Sequence, residues 1–454
     1  MNDEGYSVKS GGSASDHRGI LAVTLSRDEP AAGERDTPES MPNSALLERV
    51  LERANLQRAL KQVRSNQGAP GIDGMTVDEL PDYLRSHWLE IRAQLVAGSY
   101  CPQSVRRVEI PKDDGKGVRL LGVPTVLDRF IPQAIAQVVS AQWEPHFHPR
   151  SYGFHPQRSA HQAVRRLQAD IREGYRWVID LDLEGFFDRV NHDRLVARLK
   201  RHVPDRALLR LINRYLKAGV RVGDRTEATT KGVPQGGPLS PVLSNVVLDE
   251  LDWELDRRGH RFARYADDCN IVVRSKRAGE RVMASVTRFI EDALRLTVNA
   301  RKSAVDRPWK RRFLGFTVSR NEAKLKVAEK AIDKLKAEVR QLTRRTRSYR
   351  LVDIVTELRD ALLGWKAYFG IAEVLSPLRD VDKWIRRKLR CYQWKQWGRA
   401  GYRELRRRGV SVCEAWNMSK SAHGPWRLSK TPALTLALPA RYFSGLGLPS
   451  LAAR

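Results

Sequence analysis

Two adjacent acids, Asp267 and Asp268, stand between two short apolar runs in the middle of the chain. The runs have the length and composition of β-strands, so the pattern predicts a β-hairpin with both acids at its turn. Neighbouring carboxylates repel one another, and a divalent cation is a natural partner for such a pair when it is partly buried. Aspartate is also a favoured turn residue, so an ordinary turn is the competing interpretation.

A second acidic segment precedes this one in the chain. In residues 177–183, strand alternation places the apolar side chains on one face and Asp180 and Asp182 on the other. Such a strand could add the third carboxylate of a site for two Mg²⁺ ions, with Mn²⁺ as an alternative ion. Mg²⁺ prefers oxygen ligands, and two ions can clamp an in-line displacement. A solvated sheet face is the other interpretation of this strand.

A Gly- and Pro-rich loop at residues 232–241 separates the two acidic segments and leads into a predicted helix. The pattern predicts Ser240 as the N-cap of this helix and Pro241 at its first position. Glycines in such a loop allow a backbone or a ligand to approach closely. As a single motif, the loop is also typical of an ordinary turn.

Three cations have types and positions suited to phosphate chemistry. Lys112 and Arg119 bracket a predicted turn between two strand-like runs, where an ammonium and a guanidinium fork could bind a triphosphate. Lys302 could donate a proton to a leaving group. For each of these residues, a solvated surface position is the competing interpretation.

The rest of the 454-residue chain must position these groups, and its net charge of +28 is unevenly spread. The composition of residues 1–42 predicts a disordered acidic leader. Residues 43–325 mix strands with helices, which indicates an α/β or α+β body, residues 326–400 predict basic amphipathic helices, and residues 401–454 form a basic tail. Residues 301–454 carry 36 Lys and Arg against 13 Asp and Glu. This excess favours a polyanionic partner, nucleic acid before an anionic membrane.

The composition excludes several other classes of protein. No run approaches 18 apolar residues, so the sequence predicts no transmembrane helix. The beginning of the chain lacks the apolar core of a signal peptide. Four widely spaced cysteines argue against a disulfide framework or a zinc site, and for a reducing cytoplasm.

In their order and spacing, these segments resemble a reverse transcriptase, and more narrowly the protein encoded by bacterial group II introns. The catalytic box of that family is similar to residues 265–268, and its upstream metal-binding aspartate matches Asp182. The resemblance implies that Asp182, Asp267 and Asp268 are catalytic and hold the metal ions. It also implies substrate-binding roles for five residues: Lys112 and Arg119 on the triphosphate, Phe187 as a steric gate against a 2′-hydroxyl, Gln235 in the block that contacts template and nucleotide, and Lys302 near the end of the palm.

Further blocks narrow the family. Residues 66–74 resemble the N-terminal block of intron enzymes, residues 150–159 their second fingers block, and residues 313–316 their primer-grip hairpin. Residues 364–369 and 384–390 resemble their thumb, or maturase domain. The resemblance implies an α+β right-hand polymerase with fingers, an antiparallel palm sheet, a helical thumb and a small basic C-terminal domain that binds DNA. Nucleic-acid contacts are expected at five basic residues of the fingers and thumb: Arg158, Arg386, Arg387, Lys388 and Arg390.

The function that this resemblance implies is RNA-directed DNA synthesis. The family copies group II intron RNA into cDNA during retrohoming by two-metal nucleotidyl transfer, and it binds the intron RNA to assist splicing. The expected partners are intron RNA, target DNA, a cDNA primer and dNTPs, with no membrane, in a bacterial cytoplasm beside the nucleoid. The sequence shows no counterpart of the family's C-terminal HNH nuclease, as in lineages that need another source of primer.

Two other interpretations stay open at this point. The chain could act as a splicing cofactor whose basic helices bind RNA through its backbone and shape. It could also be a domesticated relative of the retron, diversity-generating or CRISPR-associated kind, although the thumb block and the tail argue against the first two. Phe187 and the Tyr-Ala-Asp-Asp box disfavour a viral RNA polymerase.

Overall fold

The structure, a computed structural model, describes residues 45–111, 117–223 and 225–453. The predicted acidic leader and Lys112 lie outside these ranges, and only the backbone of Arg119 is described. The fold is α+β, as predicted, with helices around an antiparallel sheet. No helix in these ranges combines the length and apolar character needed to cross a bilayer.

The regular elements follow one another from Ala45 to Gly445. Those of the first half are α1 (Ala45–Val50), α2 (Arg53–Ser65), α3 (Leu80–Ala97), β1 (Val105–Pro111), β2 (Val118–Val123), α4 (Leu127–Trp143), α5 (Ala160–Arg172), β3 (Trp177–Leu181), α6 (Phe186–Arg189), α7 (His192–Leu199), α8 (Arg206–Leu216), β4 (Val220–Val222) and β5 (Arg225–Glu227). Those of the second half are α9 (Ser240–Arg257), β6 (Arg261–Tyr265), β7 (Asp268–Val273), α10 (Lys276–Phe289), β8 (Ala304–Asp306), β9 (Phe316–Val318), β10 (Leu325–Val327), α11 (Glu329–Leu342), α12 (Leu351–Phe369), α13 (Ser376–Trp397), α14 (Gly401–Arg407), α15 (Val412–Lys420), α16 (Pro425–Leu428), α17 (Pro432–Ala437) and α18 (Ala440–Gly445).

The strands form three sheets. A four-stranded sheet in the order β2-β1-β4-β5 contains the predicted β1–β2 pair, which is antiparallel with Arg106 opposite Val123. The central sheet has the order β6-β7-β3-β8, and all of its pairs are antiparallel. β9 and β10 make a separate two-stranded hairpin. The antiparallel central sheet is the palm sheet that the sequence predicts.

The central sheet separates two hydrophobic cores. Ile179 and Leu181, which alternate along β3, face the first core, formed with α1–α4 and α7–α9. Val178 faces the second core, formed with α5, the β9–β10 hairpin and the C-terminal helices. Apolar packing on both faces fixes the strands of this sheet, and the acidic groups lie where the inner strand β3 ends and the inner strand β7 begins.

From Glu329 to Ala453 the described chain contains helices and no strand. The apolar stripe predicted for α11 is confirmed, with Ile332, Leu335 and Val339 buried. The short helices α14–α18 share one core with α11–α13. Near the end of the chain, Asp382 on α13 accepts hydrogen bonds from Ser450 Oγ and the Leu451 N–H (2.6 and 3.0 Å). The tail is therefore packed against the thumb helices; the domain boundaries stay predictions.

Candidate active site

The hairpin that carries the adjacent acids is formed by β6 and β7, which pair with Tyr265 opposite Asp268. Asp267 therefore lies in the turn, and Asp268 is the first residue of β7. The other turn residue, Ala266, has a φ of +55°, in the left-handed region that L-residues rarely adopt. The predicted hairpin is confirmed, with Asp268 in the strand instead of the turn.

Asp182 directly follows β3, the strand beside β7 in the central sheet. The last residues of β3 pair with the first residues of β7, so the sheet brings Asp182 close to Asp268. The Asp182 N–H donates to Ser303 Oγ (3.0 Å), which fixes the backbone at this point. Asp180 is half-buried on the same side of β3, while its apolar neighbours are buried, so the predicted alternation is confirmed.

Two carboxylates of this cluster, Asp268 and Asp180, have raised pKa values. Burial, followed by the charges of Asp180, Asp267 and Asp182, raises the pKa of Asp268 to about 8. Burial also raises the pKa of Asp180, while Arg311 opposes that effect. Without a cation, the cluster therefore favours a proton on Asp268 at neutral pH, as expected for crowded carboxylates.

The same cluster has the chemistry of a divalent cation site. The Oδ2 atom of Asp182 is buried without a hydrogen-bond partner, and carboxylate oxygens are preferred ligands of Mg²⁺. Within the described ranges, no group of three His, Cys, Asp or Glu side chains already has the arrangement of a metal site. Instead, the Lys302 ammonium lies 3.5 Å from Asp182 Oδ2. The donor set fits Mg²⁺, and a side-chain cation faces one of its members.

A cavity of about 660 Å³ opens in front of the carboxylates. Asp180, Asp182 and Asp268 line one part of it. Seven cations from the chain around and after β8 also line it: Arg301, Lys302, Lys310, Arg311, Arg312, Lys326 and Lys330. A cavity lined by both acids and cations suits a phosphate chain that is bound through metal ions held by the acids and through ammonium or guanidinium groups.

Arg311 is a residue of this cavity that sequence reasoning missed. Its Nε and Nη2 donate to Asp180 Oδ2 (2.9 and 2.5 Å), and its Nη2 also donates to the Lys302 carbonyl (2.8 Å). This guanidinium therefore connects the strand that leads to Asp182 with the segment just before β9. A signal was present in the sequence, because the three successive cations of residues 310–312 directly precede the block at 313–316.

Phe187 and Gln235 line a second cavity, of about 300 Å³. Its opposite wall includes Leu120–Gly122 of β2, so this cavity lies between the first sheet and the central part of the molecule. The Gly122 N–H donates to the Gln235 carbonyl (3.1 Å), which holds the Gly/Pro loop against β2. The structure thus brings these two predicted substrate contacts together, in a cavity next to the fingers strands.

The predicted N-cap of the helix after this loop is wrong by one residue. Leu239 is the N-cap of α9, and Ser240 is its first helical residue. The Ser240 hydroxyl donates to the Pro234 carbonyl (2.6 Å), so it stabilises the loop instead of capping the helix. A tertiary contact of this kind overrides the local preference of serine for the cap position.

Arg158 lies in the fingers segment and is held by several acceptors. Its Nη1 donates to the carbonyls of His148 and Ser151 (2.7 Å each), and its Nη2 lies 3.1 Å from Glu144 Oε1. These contacts stabilise the segment around it and lie apart from the carboxylate cavity. The predicted contact of Arg158 with nucleic acid stays a prediction.

The four basic residues of α13 that are predicted to contact nucleic acid divide into two kinds. Arg387 donates to Ser429 Oγ and the Trp426 carbonyl (3.2 and 3.0 Å), and Arg390 donates to the Leu438 carbonyl (2.9 Å). Both therefore hold the tail on α13. Lys388 lies 5.2 Å from the centre of the Trp426 ring. Within the described chain, the side chains of Arg386 and Lys388 hold no part of the tail by a hydrogen bond, and the nucleic-acid contacts of all four residues stay predictions.

The comparison with known families agrees with this geometry. Residues 110–318 match the model of the reverse transcriptase (RNA-dependent DNA polymerase) family, and residues 332–409 match the model of the group II intron maturase-specific domain. The first match contains the carboxylate cluster, and the second covers most of α11–α14. The chain belongs to the reverse transcriptases of the group II intron type, RNA-directed DNA polymerases that also carry a maturase domain.

Several known proteins are similar to this chain. Protein YkfC of Escherichia coli K12 is 32% identical over 310 residues, which cover 59% of this chain and 81% of YkfC. The group II intron-encoded protein LtrA of Lactococcus lactis subsp. cremoris is 36% identical over 194 residues, which cover 43% of this chain and 32% of LtrA. A solved partial Cas6-RT-Cas1–Cas2 complex is 25% identical, with a TM-score of 0.36 over 55% of this chain and 43% of that one.

Proposed function

We propose that this protein extends a DNA primer along an RNA template, and that Asp182, Asp267 and Asp268 form its catalytic centre. The observation that carries the proposal is the meeting of these aspartates at the ends of β3, β6 and β7, beside a cation-lined cavity. Family membership supports the class of reaction. The geometry supports the choice of residues.

The reaction joins the 3′-oxygen of the primer to the α-phosphorus of a dNTP and releases pyrophosphate. Two Mg²⁺ ions, or Mn²⁺, held by the three aspartates would activate the 3′-hydroxyl and neutralise charge on the triphosphate. The aspartates orient the reacting groups by fixing those positions. Lys302, which lies beside Asp182, donates a proton to the departing pyrophosphate.

Substrate selection is assigned to the second cavity. The Phe187 ring excludes a ribose 2′-hydroxyl, and Gln235 contacts the nucleotide or its template base. Both residues line one cavity beside β2, which supports this assignment. Lys112 and Arg119, which bracket the turn that the sequence predicts, bind the triphosphate. Replacing Phe187 by Ala should raise the incorporation of ribonucleotides, measured by single-nucleotide extension with dNTP and rNTP.

Extension of oligo(dT) on poly(rA) in the presence of Mg²⁺ tests the proposed function. The wild-type protein should make cDNA, and Asp267→Ala should make none that can be detected. Glu280→Ala, an exposed acid on α10 that pairs only loosely with Lys276 (3.5 Å), is the matched control and should keep wild-type activity. A wild type that makes no cDNA, or an Asp267→Ala variant as active as the control, contradicts the proposal.

We propose splicing assistance as a second function, because residues 332–409 match the maturase-specific domain. The intron RNA would bind the basic face of the thumb through its phosphates. Reversing the charges of Arg386 and Lys388 should lower the salt dependence of intron RNA binding by roughly one phosphate contact each. Arg387 and Arg390 are left intact in this test, because they hold the tail. Asp267→Ala should splice normally, and an unchanged salt slope would exclude Arg386 and Lys388 from the interface.

The wider biological role is also a proposal. The protein would copy its intron into cDNA at a DNA target during retrohoming, with dNTPs as substrates and in the cytoplasm beside the nucleoid. The basic charge of the thumb and tail supports binding of both RNA and DNA. An intron ribozyme that flanks the gene would support this role, and a genetic mobility assay with Asp267→Ala, which should not move, would test it.

A further inference from the structure

A completely buried guanidinium lies directly behind the catalytic turn. Arg264, two residues before Ala266, has no exposed surface. Its Nε and Nη2 donate to the two carboxylate oxygens of Asp252 (2.7 and 2.5 Å). Its Nη1 donates to Asn245 Oδ1 (3.0 Å) and to the carbonyl of Ala266 (2.8 Å), and its Nη2 also donates to Ser151 Oγ (2.7 Å). All five N–H groups of this side chain are therefore used.

The catalytic turn also packs directly on the backbone of the fingers segment. A Cβ atom added to Gly153 would lie 2.3 Å from the backbone nitrogen of Ala266, so only glycine leaves room for the turn. Asn245 Nδ2 donates to the Gly153 carbonyl (2.8 Å) and so fixes this glycine. We call Arg264, Asn245 and Gly153 together the turn seat, because all three contact either Ala266 or one another.

The turn seat fixes a conformation that the turn would not otherwise favour. Ala266 is left-handed, and such a residue keeps this conformation only where its surroundings enforce it. A buried guanidinium paired with a buried carboxylate cannot shift without breaking several charged hydrogen bonds. Since Asp267 and Asp268 directly follow Ala266, any movement of the Ala266 peptide also moves both carboxylates.

We propose that Arg264 is a positioning residue for nucleotidyl transfer. By holding the Ala266 carbonyl, it sets the positions of Asp267 and Asp268, and so the geometry of the metal ions and of the reacting phosphate. This inference rests on the proposed catalytic role of these two aspartates. The alternative is that Arg264 contributes to folding alone, in which case its loss lowers stability without changing how the folded enzyme uses Mg²⁺.

Arg150 offers a matched control for this proposal. Like Arg264, it donates both to a fully buried carboxylate, Asp170 Oδ2 (2.7 Å), and to a carbonyl of β6, that of Phe262 (3.0 Å). Among the described residues its side chain donates no hydrogen bond to Ala266, and its carbonyl, which accepts from the Arg264 N–H (3.0 Å), is kept in a lysine variant. Arg150→Lys therefore weakens a comparable buried network on the same strand while leaving the catalytic turn in place.

The first experiment compares Arg264→Lys with Arg150→Lys by primer extension over a range of Mg²⁺ concentrations. Arg264→Lys should lower kcat about 10²-fold, since a displacement of about 1 Å has an effect of that size. It should also raise the Mg²⁺ concentration for half-maximal activity, with the Kd for primer–template unchanged. Mn²⁺ should restore part of kcat. Arg150→Lys should lower the melting temperature without changing the Mg²⁺ requirement.

Gly153→Ala is a second test that leaves every charge in place. Its added Cβ displaces the Ala266 backbone, so it should raise the Mg²⁺ requirement and lower kcat as Arg264→Lys does. This variant decides the matter if Arg264→Lys does not fold, which the melting curve will show. Asp268→Ala is measured alongside, because it tests the proposed function itself.

The outcomes separate the two proposals. A raised Mg²⁺ requirement in Arg264→Lys and Gly153→Ala, but not in Arg150→Lys, supports the positioning role. If Asp268→Ala is inactive while Gly153→Ala and Arg264→Lys keep the wild-type kcat and Mg²⁺ requirement, the positioning role is overturned. An equal change in Arg150→Lys overturns it too, because the effect is then one of general stability. An active Asp268→Ala overturns the proposed function instead.

Discussion

Two carboxylates beside the β6–β7 hairpin have opposite surroundings. Asp252 is fully buried, and both of its oxygens accept hydrogen bonds from Arg264. Asp268 accepts from the Asn270 amide (3.3 Å) and faces other carboxylates, which help to raise its pKa to about 8. In the first region the protein neutralises its own acid and stabilises the fold. In the second it leaves negative charge for an external cation, which is the arrangement of a functional site.

Asp180 lies between these two cases. It belongs to the carboxylate cluster, and its pKa is raised by burial, yet it is paired with Arg311. We expect it to connect the segment before β9 to the catalytic strand, instead of binding a metal ion. The comparison therefore predicts a different effect for each kind of aspartate. Replacing an acid of the carboxylate cluster should remove activity, replacing Asp252 should lower stability, and replacing Asp180 should disturb the alignment of the substrate.

The largest effect is expected at the carboxylate cluster that faces the cavity. Asp182→Asn should lower kcat by at least about 10³-fold, because one of the three carboxylates proposed to hold the metal ions is lost. The melting temperature should stay the same or rise, since one of several mutually repelling charges is removed. Steady-state primer extension and thermal denaturation measure the two effects. A marked loss of stability with retained activity would break the comparison.

The next effect concerns the paired acid behind the hairpin. Asp252→Asn leaves the charge of Arg264 buried and uncompensated, so the free energy of unfolding should fall by about 3 kcal/mol. Urea denaturation measures this change. Asp256→Asn, an exposed acid on the same helix, is the control and should change stability by less than about 0.5 kcal/mol. Equal effects of the two substitutions would show that the buried pair has no special role.

A smaller effect is expected at Asp180. Asp180→Asn should raise the KM for primer–template about fivefold, with kcat within about threefold of the wild type, because loss of a half-buried ion pair amounts to about 1 kcal/mol. Arg311→Gln should have the same effect, and the double variant should add little to either. Additive effects would mean that the two residues act separately. A loss of kcat as large as that of Asp182→Asn would place Asp180 among the metal ligands.

The smallest effect is a dependence on pH. Below the pKa of Asp268, about 8, a proton competes with Mg²⁺, so the Mg²⁺ concentration for half-maximal activity should fall as the pH rises from about 6 to about 8.

In EDTA, the Asp268 carboxyl of the unfolded chain releases its proton near pH 3.9 and that of the folded chain near pH 8. The free energy of unfolding should therefore decrease with rising pH between these values. Asp268→Asn should remove that part of the slope, and a slope that persists unchanged would assign it to another group.

Local patterns in the sequence predicted the parts of the molecule that depend on neighbours in the chain. The strands around Asp182 and Asp268, the hairpin and the apolar stripe of α11 all follow from alternation or helical spacing. The joint position of Asp182 and Asp268 required the family resemblance, because nothing local specifies that β3 lies beside β7. The sequence predicted Asp268 in the turn and Ser240 as the N-cap of α9. Each prediction was wrong by one residue, since tertiary contacts decide such positions.

The contacts of Arg264 and Arg311 could not be predicted from the sequence. Each guanidinium joins segments that are far apart in the chain, and an arginine inside a strand gives no sign of whether it is buried or exposed. The roles of Lys112 and Arg119 stay predictions, because residues 112–116 and the side chain of Arg119 lie outside the described part of the chain.

The second hydrophobic core has a consequence for anyone who recombines this protein with its relatives. Val178 of the central sheet, Phe316 of the β9–β10 hairpin and Leu358 of α12 belong to one apolar cluster, and the Tyr368 hydroxyl donates to the Leu314 carbonyl (2.9 Å). In a chimera whose junction lies between β10 and α11, the two parts of that cluster would come from different parent proteins. Grafts that exchange the β9–β10 hairpin together with the helices keep more of its contacts and should yield more folded protein.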